Sequence, residues 1–281
     1  MHLRALLAVG TLMCSGSLFA GPVYFFSTGD PDGRMATASR PDTGVFEIES
    51  ADDFILTSRT LLNTATFQGL LTGGATLSDV GQVVVEIYRV FPNDSTTPPS
   101  GNVPTRVNSP SDVAFDSRDS VASTLSVVAS VIGSSFTTAN SVQPGGLQPK
   151  PGQTTGGNGP VTALEALFNV TFAPPIDLPA GHYFFVPQVQ VSGGNFLWLS
   201  APKPIVAPGT PLLPDLQSWS RDQFLDPDWL RNGTDVVGGS PAPTFNAAFS
   251  IGGVEIPEPG SWLLTAGPLG ALLLRWRRRA A

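Results

Sequence analysis

Two stretches of this chain alternate apolar and polar residues with a period of two, and that period restricts the fold more than any other feature. In one, Ala166, Phe168, Val170 and Phe172 alternate with Leu167, Asn169 and Thr171; in the other, Phe245, Ala247, Phe249 and Ile251 alternate with Asn246, Ala248 and Ser250. Successive side chains of a strand point to opposite faces, so each stretch sets one face on a core and the other on solvent, as antiparallel sheets do. The run Gln82 to Phe91, QVVVEIYRVF, is rich in β-branched and aromatic residues and reads as a strand that Pro92 ends. Val45, Glu47 and Glu49 against Phe46 and Ile48 predict a half-buried strand, Ala51 to Thr57 a turn followed by a strand, and Thr124 to Ile132 a further strand.

No sustained 3.6-residue pattern appears between the termini, and 30 glycines and 27 prolines punctuate the chain too often for long helices. Phe25 to Pro41 reads as an irregular arm with a turn at Asp30 to Gly33, while Pro92 to Asp112 and Asn140 to Pro160 read as long loops. The expected fold is all-β: an antiparallel β-sandwich of jelly-roll type with long Pro/Gly-rich loops, plus an N-terminal signal helix and a C-terminal apolar helix.

Both ends read as addresses. Arg4, the apolar segment Ala5 to Met13 and small residues up to Ala20 form a secretory signal peptide, cut after Ala20 or after Ser17. At the other end a Pro-Glu-Pro triplet (Pro257, Glu258, Pro259), an uncharged run from Trp262 to Leu274 and an arginine cluster (Arg275, Arg277, Arg278, Arg279) follow one another. The run is shorter than the roughly 20 residues of a full helical span, and the arginines hold its end on the cytoplasmic side. This order of parts resembles the PEP-CTERM sorting signal of exported bacterial proteins. The resemblance implies recognition by the exosortase, a membrane protease-transpeptidase, after export by the general secretion machinery. An Ala-Asp-Asp-Phe segment, here Ala51 to Phe54, is similar to one found early in anchored bacterial proteins with jelly-roll-like sandwiches. Three regions follow: a signal peptide over 1–20, an extracytoplasmic sandwich over 21–256 and the sorting signal with its short transmembrane segment over 257–281.

Charge narrows the partners. The 15 basic residues lose Arg4 and the four terminal arginines with the two signals, and the 22 acidic ones lose Glu258, which leaves the central domain near −11. Such a surface has no basic stripe to neutralise phosphates, which argues against nucleic acid and against anionic headgroups. The membrane is met only through the C-terminal segment before processing. The chain's single cysteine, Cys14, leaves with the signal peptide, so neither a disulfide nor a thiolate site is available.

Histidine decides several chemistries. His2 also leaves, so His182 stands alone in the mature chain, on a strand in phase with Gln188 and Gln190 and therefore on a polar face. One histidine without cysteine argues against zinc, and no G-x-S-x-G elbow supports a serine hydrolase. Carboxylate pairs are plentiful, at Asp52 and Asp53, Asp116 and Asp119, and Asp226 and Asp228, but none stands out. Asp52 and Asp53, if on a strand, face opposite ways. No cofactor is expected; calcium is the one metal whose oxygen ligands the loops offer, at Asp30 and Asp32 or at Asp226 and Asp228, where Asx turns explain the same pairs.

Trp198, Trp219 and Trp229 are the tryptophans of the central domain. Trp198, in FLWLS, is expected in the core. Trp219 and Trp229 divide between core and a sugar-stacking platform, with Arg221 and Arg231 as hydrogen-bond donors beside them. The resulting expectation is a surface or extracellular-matrix protein without catalytic activity, associated with exopolysaccharide or biofilm. A glycan-binding module using Trp219 and Trp229, and a carboxylate-dependent glycan hydrolase, are the alternatives. Glycan binding requires the two indoles to be exposed neighbours.

Overall fold

The alternation over residues 166–172 is carried out in the longest strand. Ala166, Phe168, Val170 and Phe172 are buried, Leu167 is half-buried, and Asn169 and Thr171 are exposed. The structure, a computed structural model, describes residues 21–93, 107–147, 154–202, 216–224 and 229–256. Its strands are β1 (Val23–Ser27), β2 (Met35–Ala38), β3 (Ile48–Leu56), β4 (Thr60–Leu71), β5 (Val80–Val90), β6 (Pro110–Asp119), β7 (Leu125–Thr138) and β8 (Asn140–Val142). After these come β9 (Val161–Leu178), β10 (Gly181–Val191), β11 (Phe196–Ala201), β12 (Trp219–Asp222), β13 (Leu230–Arg231), β14 (Asn246–Ala247) and β15 (Phe249–Glu255). Helical structure among the described residues is confined to single turns such as the π-helical turn Asn232–Val237. Residues 1–20, expected to form a signal peptide and its helix, and everything from Pro257 onward, where the sorting signal and the apolar helix are expected, lie outside the described residues.

Two sheets make the architecture, and the molecule is all-β. The nine-stranded first sheet is built on β4, which pairs with β9 along one edge and with β15 and then β11 along the other. β7 extends it beyond β9, β1 beyond β15, and β2 and β8 beyond β11. The second sheet runs β13-β12-β3-β10-β5-β6. Pairing is antiparallel throughout except for β2 with β8, which is parallel and departs from the wholly antiparallel expectation.

Three apolar clusters hold this arrangement. Between the sheets, Phe54, Val85, Ile87, Tyr183 and Phe185 of the second meet Phe67, Phe168, Phe196, Trp198 and Phe249 of the first. The Phe67 and Phe168 rings stack at 5.0 Å and those of Phe185 and Phe249 at 5.2 Å. Each such side chain contributes roughly 1.5–3 kcal/mol of hydrophobic burial. Trp198 joins this core, as expected, with its indole N–H donating to the Ala248 carbonyl at 2.9 Å. A second cluster packs Met35, Ala36, Leu70, Leu197 and Leu199 of the first sheet with Ile48 and Leu230 of the second, and a third lies on the outward face of the second sheet.

Several local readings change. The loops expected over Pro92 to Asp112 and Asn140 to Pro160 overlap β6 and β8, from Pro110 in the first and over Asn140–Val142 in the second. Phe25 to Pro41 is not an irregular arm, since it holds part of β1 and all of β2; their partners, β15 and β11, come more than 150 residues later, and no local pattern announces them. The turn at Asp30 to Gly33 is present, with Gly33 at φ +69° and the Arg34 N–H donating to Asp32 Oδ1. Residues 45–57, in turn, do not split into two strands with a turn between. Only Ile48 to Leu56 is strand, and it is buried along nearly its whole length because both of its faces are covered.

Candidate functional site

Strand geometry sorts the polar residues of β3. Phe54 points between the sheets, so Asp52 and Ser50 do as well: Asp52 Oδ2 accepts from the Ala247 N–H at 2.7 Å and the Ser50 hydroxyl donates to the Ala38 carbonyl at 2.8 Å. Asp53, Ala51 and Glu49 point outward. The two adjacent aspartates thus serve opposite faces, as a strand demands. Asp53 Oδ2 lies 2.6 Å from His182 Nε2 and its Oδ1 accepts from the Leu216 N–H at 3.1 Å. His182 sits on the same outward face as Gln188, as expected, but is half-buried in this pair and not exposed.

Further along that face the pairing register sets Arg221 opposite Glu49, Trp219 opposite Ala51 and Val186 opposite Glu86. Here the polar side chains converge. Arg221 Nε pairs with Glu49 Oε2, and Arg221 Nη2 donates to the Tyr88 hydroxyl at 3.0 Å. That hydroxyl donates to Glu49 Oε1 at 2.5 Å and lies 2.9 Å from Glu86 Oε2. The Arg221 guanidinium rests 4.6 Å from the centroid of the Trp229 ring, whose N–H donates to the Ser111 carbonyl. Glu47 accepts from Gln188 Nε2 at 2.8 Å. Glu47, Glu49 and Glu86 each offer a carboxylate oxygen within 4.8 Å of the others.

Three acids this close cannot all ionise at little cost. Burial opposes the charge on Glu49, but the Arg221 guanidinium and hydrogen bonds from Glu86, Arg221 and Tyr88 outweigh it and hold the carboxyl below its ordinary value. Burial, then the hydrogen bond and charge of Glu49, push Glu86 up to about 8. Burial and the neighbouring Glu49 raise Glu47 too. At neutral pH Glu49 is the carboxylate and Glu86 the acid. Such a split is the electronic requirement for glycoside hydrolysis, yet Glu49 is only 3% exposed and Arg221 7%. A sugar ring has no way onto a carboxylate so enclosed. A divalent cation on the three glutamates would have to displace the guanidinium from Glu49 and the proton from Glu86. The Arg221 guanidinium thus already neutralises the Glu49 carboxylate.

Of the two alternatives left open for Trp219 and Trp229, burial favours the core over the sugar platform: they are 3% and 0% exposed. The segment carrying them adds β12 and β13 to the second sheet and turns both indoles onto Tyr88, Phe184 and Val186, which would otherwise face water. Arg221 and Arg231 are drawn inward with them. Arg231 pairs with Asp235 at 2.9 Å and lies 5.9 Å from the Trp219 centroid.

Asp30 is exposed, while Asp32 accepts from Arg34 N–H and, at 2.5 Å, from the Ser200 hydroxyl; both bonds shape the turn. Among the described residues no third acid or histidine joins Asp30 and Asp32 in a metal-sized group. Asp226 and Asp228 lie outside the described residues. Glu49, Glu86 and Tyr88 escaped the sequence reading. Glu86, the one acid within QVVVEIYRV, was the available signal, since a carboxyl in so apolar a strand needs a partner.

No protein-family model matches the chain, and no curated protein matches it.

Proposed function

We propose that this chain is an exported, C-terminally sorted bacterial surface or matrix protein that serves as a non-catalytic structural component, with a sandwich of jelly-roll type. The observation that carries the reading is the order of parts after residue 256: Pro257-Glu258-Pro259, the uncharged run and the arginine cluster. It resembles the PEP-CTERM signal and implies handling by an exosortase. The fold is compatible with that tail, because β15 ends at Glu255 on the sheet, two residues ahead of Pro257, so a sorting segment would leave from the end of a strand. Further support comes from the outward face of the second sheet, where Arg221, Glu49, Tyr88 and Trp229 satisfy one another. Exopolysaccharide is the proposed surrounding.

The test is the intact mass and location of the product in producing cells with and without a working exosortase. The reading expects loss of residues 257–281 and arrival outside the cell only when the exosortase is present. The same mass and compartment in both strains would refute it.

A further inference from the structure

Four arginines of the described residues pair with carboxylates: Arg59 with Asp177, Arg118 with Asp116, Arg221 with Glu49 and Arg231 with Asp235. Arg40 does not. Its Nε donates to the Phe46 carbonyl at 3.0 Å, its Nη1 to Asn195 Oδ1 at 2.6 Å, and its guanidinium lies 4.5 Å from the Phe46 ring centroid. These contacts fix the guanidinium in place yet bring no negative charge to it, and Nη2 has no acceptor among the described residues. Burial lowers its pKa, as expected of a half-buried cation short of counter-charge.

This cation lines a cleft of about 460 Å³ between the chain following β2 and the turn joining β10 to β11. The volume falls within the roughly 300–1,000 Å³ of small-molecule sites. Thr43, Gln190, Ser192 and Asn195 supply hydroxyls and amides, and Val45 and Val191 supply an apolar wall. Gly193 turns the chain at φ +73°, a conformation that glycine adopts without strain, and so shapes the floor. None of the lining residues is acidic. On a chain of net charge −7, a cleft with a fixed cation that no carboxylate neutralises and no acid in its lining favours an anion.

The geometry points to a binding site for a small hydroxyl-rich carboxylate, of the class of uronic acids. Its carboxylate sits on Arg40, its hydroxyls meet Thr43, Ser192 and Asn195, and the apolar face of its ring lies on Val45 and Val191. A guanidinium suits this task because its planar fork donates two parallel hydrogen bonds to one carboxylate. The site stands on the cleft alone and does not depend on how the chain is sorted.

The test titrates the full chain with glucuronate at pH 7 and low salt, following the amide resonances of Gly193 and Asn195. Glucose, acetate and phosphate serve as parallel probes. Glucuronate should shift these resonances saturably and bind at least tenfold more tightly than any of the other three. Arg40→Gln should lose that preference. Because Arg40 also holds Phe46 and Asn195, Thr43→Glu provides a second variant: it delivers a carboxylate to Arg40 from the protein itself and should abolish glucuronate binding while the fold persists. No saturable shift with glucuronate would overturn the proposal. So would equal binding of glucose, acetate or phosphate, or full glucuronate affinity in a folded Thr43→Glu chain.

Discussion

Replacing Arg221 with methionine tests the logic of the outward face most directly. Methionine keeps an unbranched stem over Trp229 but removes the charge, the ion pair with Glu49 and the hydrogen bond to Tyr88. What remains is a Glu49 carboxyl that is 3% exposed and has no cation beside it. Removing one partner of a buried pair costs about 3–5 kcal/mol, because the surviving charge must stay desolvated or take up a proton. The companion Glu49→Gln removes the carboxylate that pairs with Arg221 and should also destabilise. The double variant Glu49→Gln/Arg221→Met leaves no orphaned charge, so its cost should fall short of the sum of the singles by about 2–3 kcal/mol. Urea unfolding at pH 7, followed by tryptophan fluorescence, measures all three, since Trp229 lies against the guanidinium. If Arg221→Met cost less than about 1 kcal/mol, or if the singles added to within about 0.5 kcal/mol, the pair would be no more than a surface contact and the reasoning would fail.

Glu86 gives the fold a pH dependence of defined sign. Its folded value is raised to about 8, so its contribution is complete below the unfolded value of 4.5 and is lost as pH rises through 8. Stability should fall by about 1.4 kcal/mol per pH unit across that window from this group alone, and Glu86→Gln should flatten the slope in urea titrations at pH 5, 6.5 and 8. Trp229→Ala should destabilise by about 3–5 kcal/mol, an effect visible in thermal unfolding without any polysaccharide present. Phe67→Ala, which opens a void beside Phe168 and Phe196, should cost a similar amount by the same measurement. A chain ending at Ala248 lacks β15 and should fail to show the cooperative unfolding transition of the longer chain.

The alternation over residues 166–172 was legible because one face of that strand is wet, whereas the alternation over residues 245–251 does not divide core from solvent, since Asn246 and Ala248 are buried too. β9 keeps Asn169 and Thr171 in water, so its alternation of polar and apolar residues is the alternation of solvent and core. β3 breaks that equivalence. Covered on both sides, it buries Glu49, Asp52 and Asp53 among Ile48, Ala51 and Phe54, and its polar residues look like solvent positions until their partners arrive. β1 and β2 were hidden for another reason, since β-strands four or five residues long take their stability from neighbours that local pattern cannot name. The sequence groups Trp219 and Trp229 with Arg221, and the structure sets Arg221 against Trp229 and both indoles in one apolar cluster. The direction they face was not legible, because an indole above a guanidinium looks the same in sequence whether it faces a sugar or Tyr88. Arg40 gave no signal either, as the lack of a carboxylate partner is a property of space and not of sequence.

The pairing of β1 with β15 sets Val23 beside Val254, and the Glu255 N–H donates to the Pro22 carbonyl at 2.9 Å. The first and last strands of the sandwich are therefore direct neighbours, and β4, made early, waits for β9, β11 and β15 to complete both of its edges. Contacts of such sequence separation are formed late and slowly, because nearly the whole loop between them must be closed. For a chain emerging amino end first from a ribosome or through a pore, every stage before residue 255 leaves the amino-terminal strand without its neighbour and one side of β4 bare. The sandwich can close only as a final event, and until then the chain depends on staying unfolded without meeting another copy.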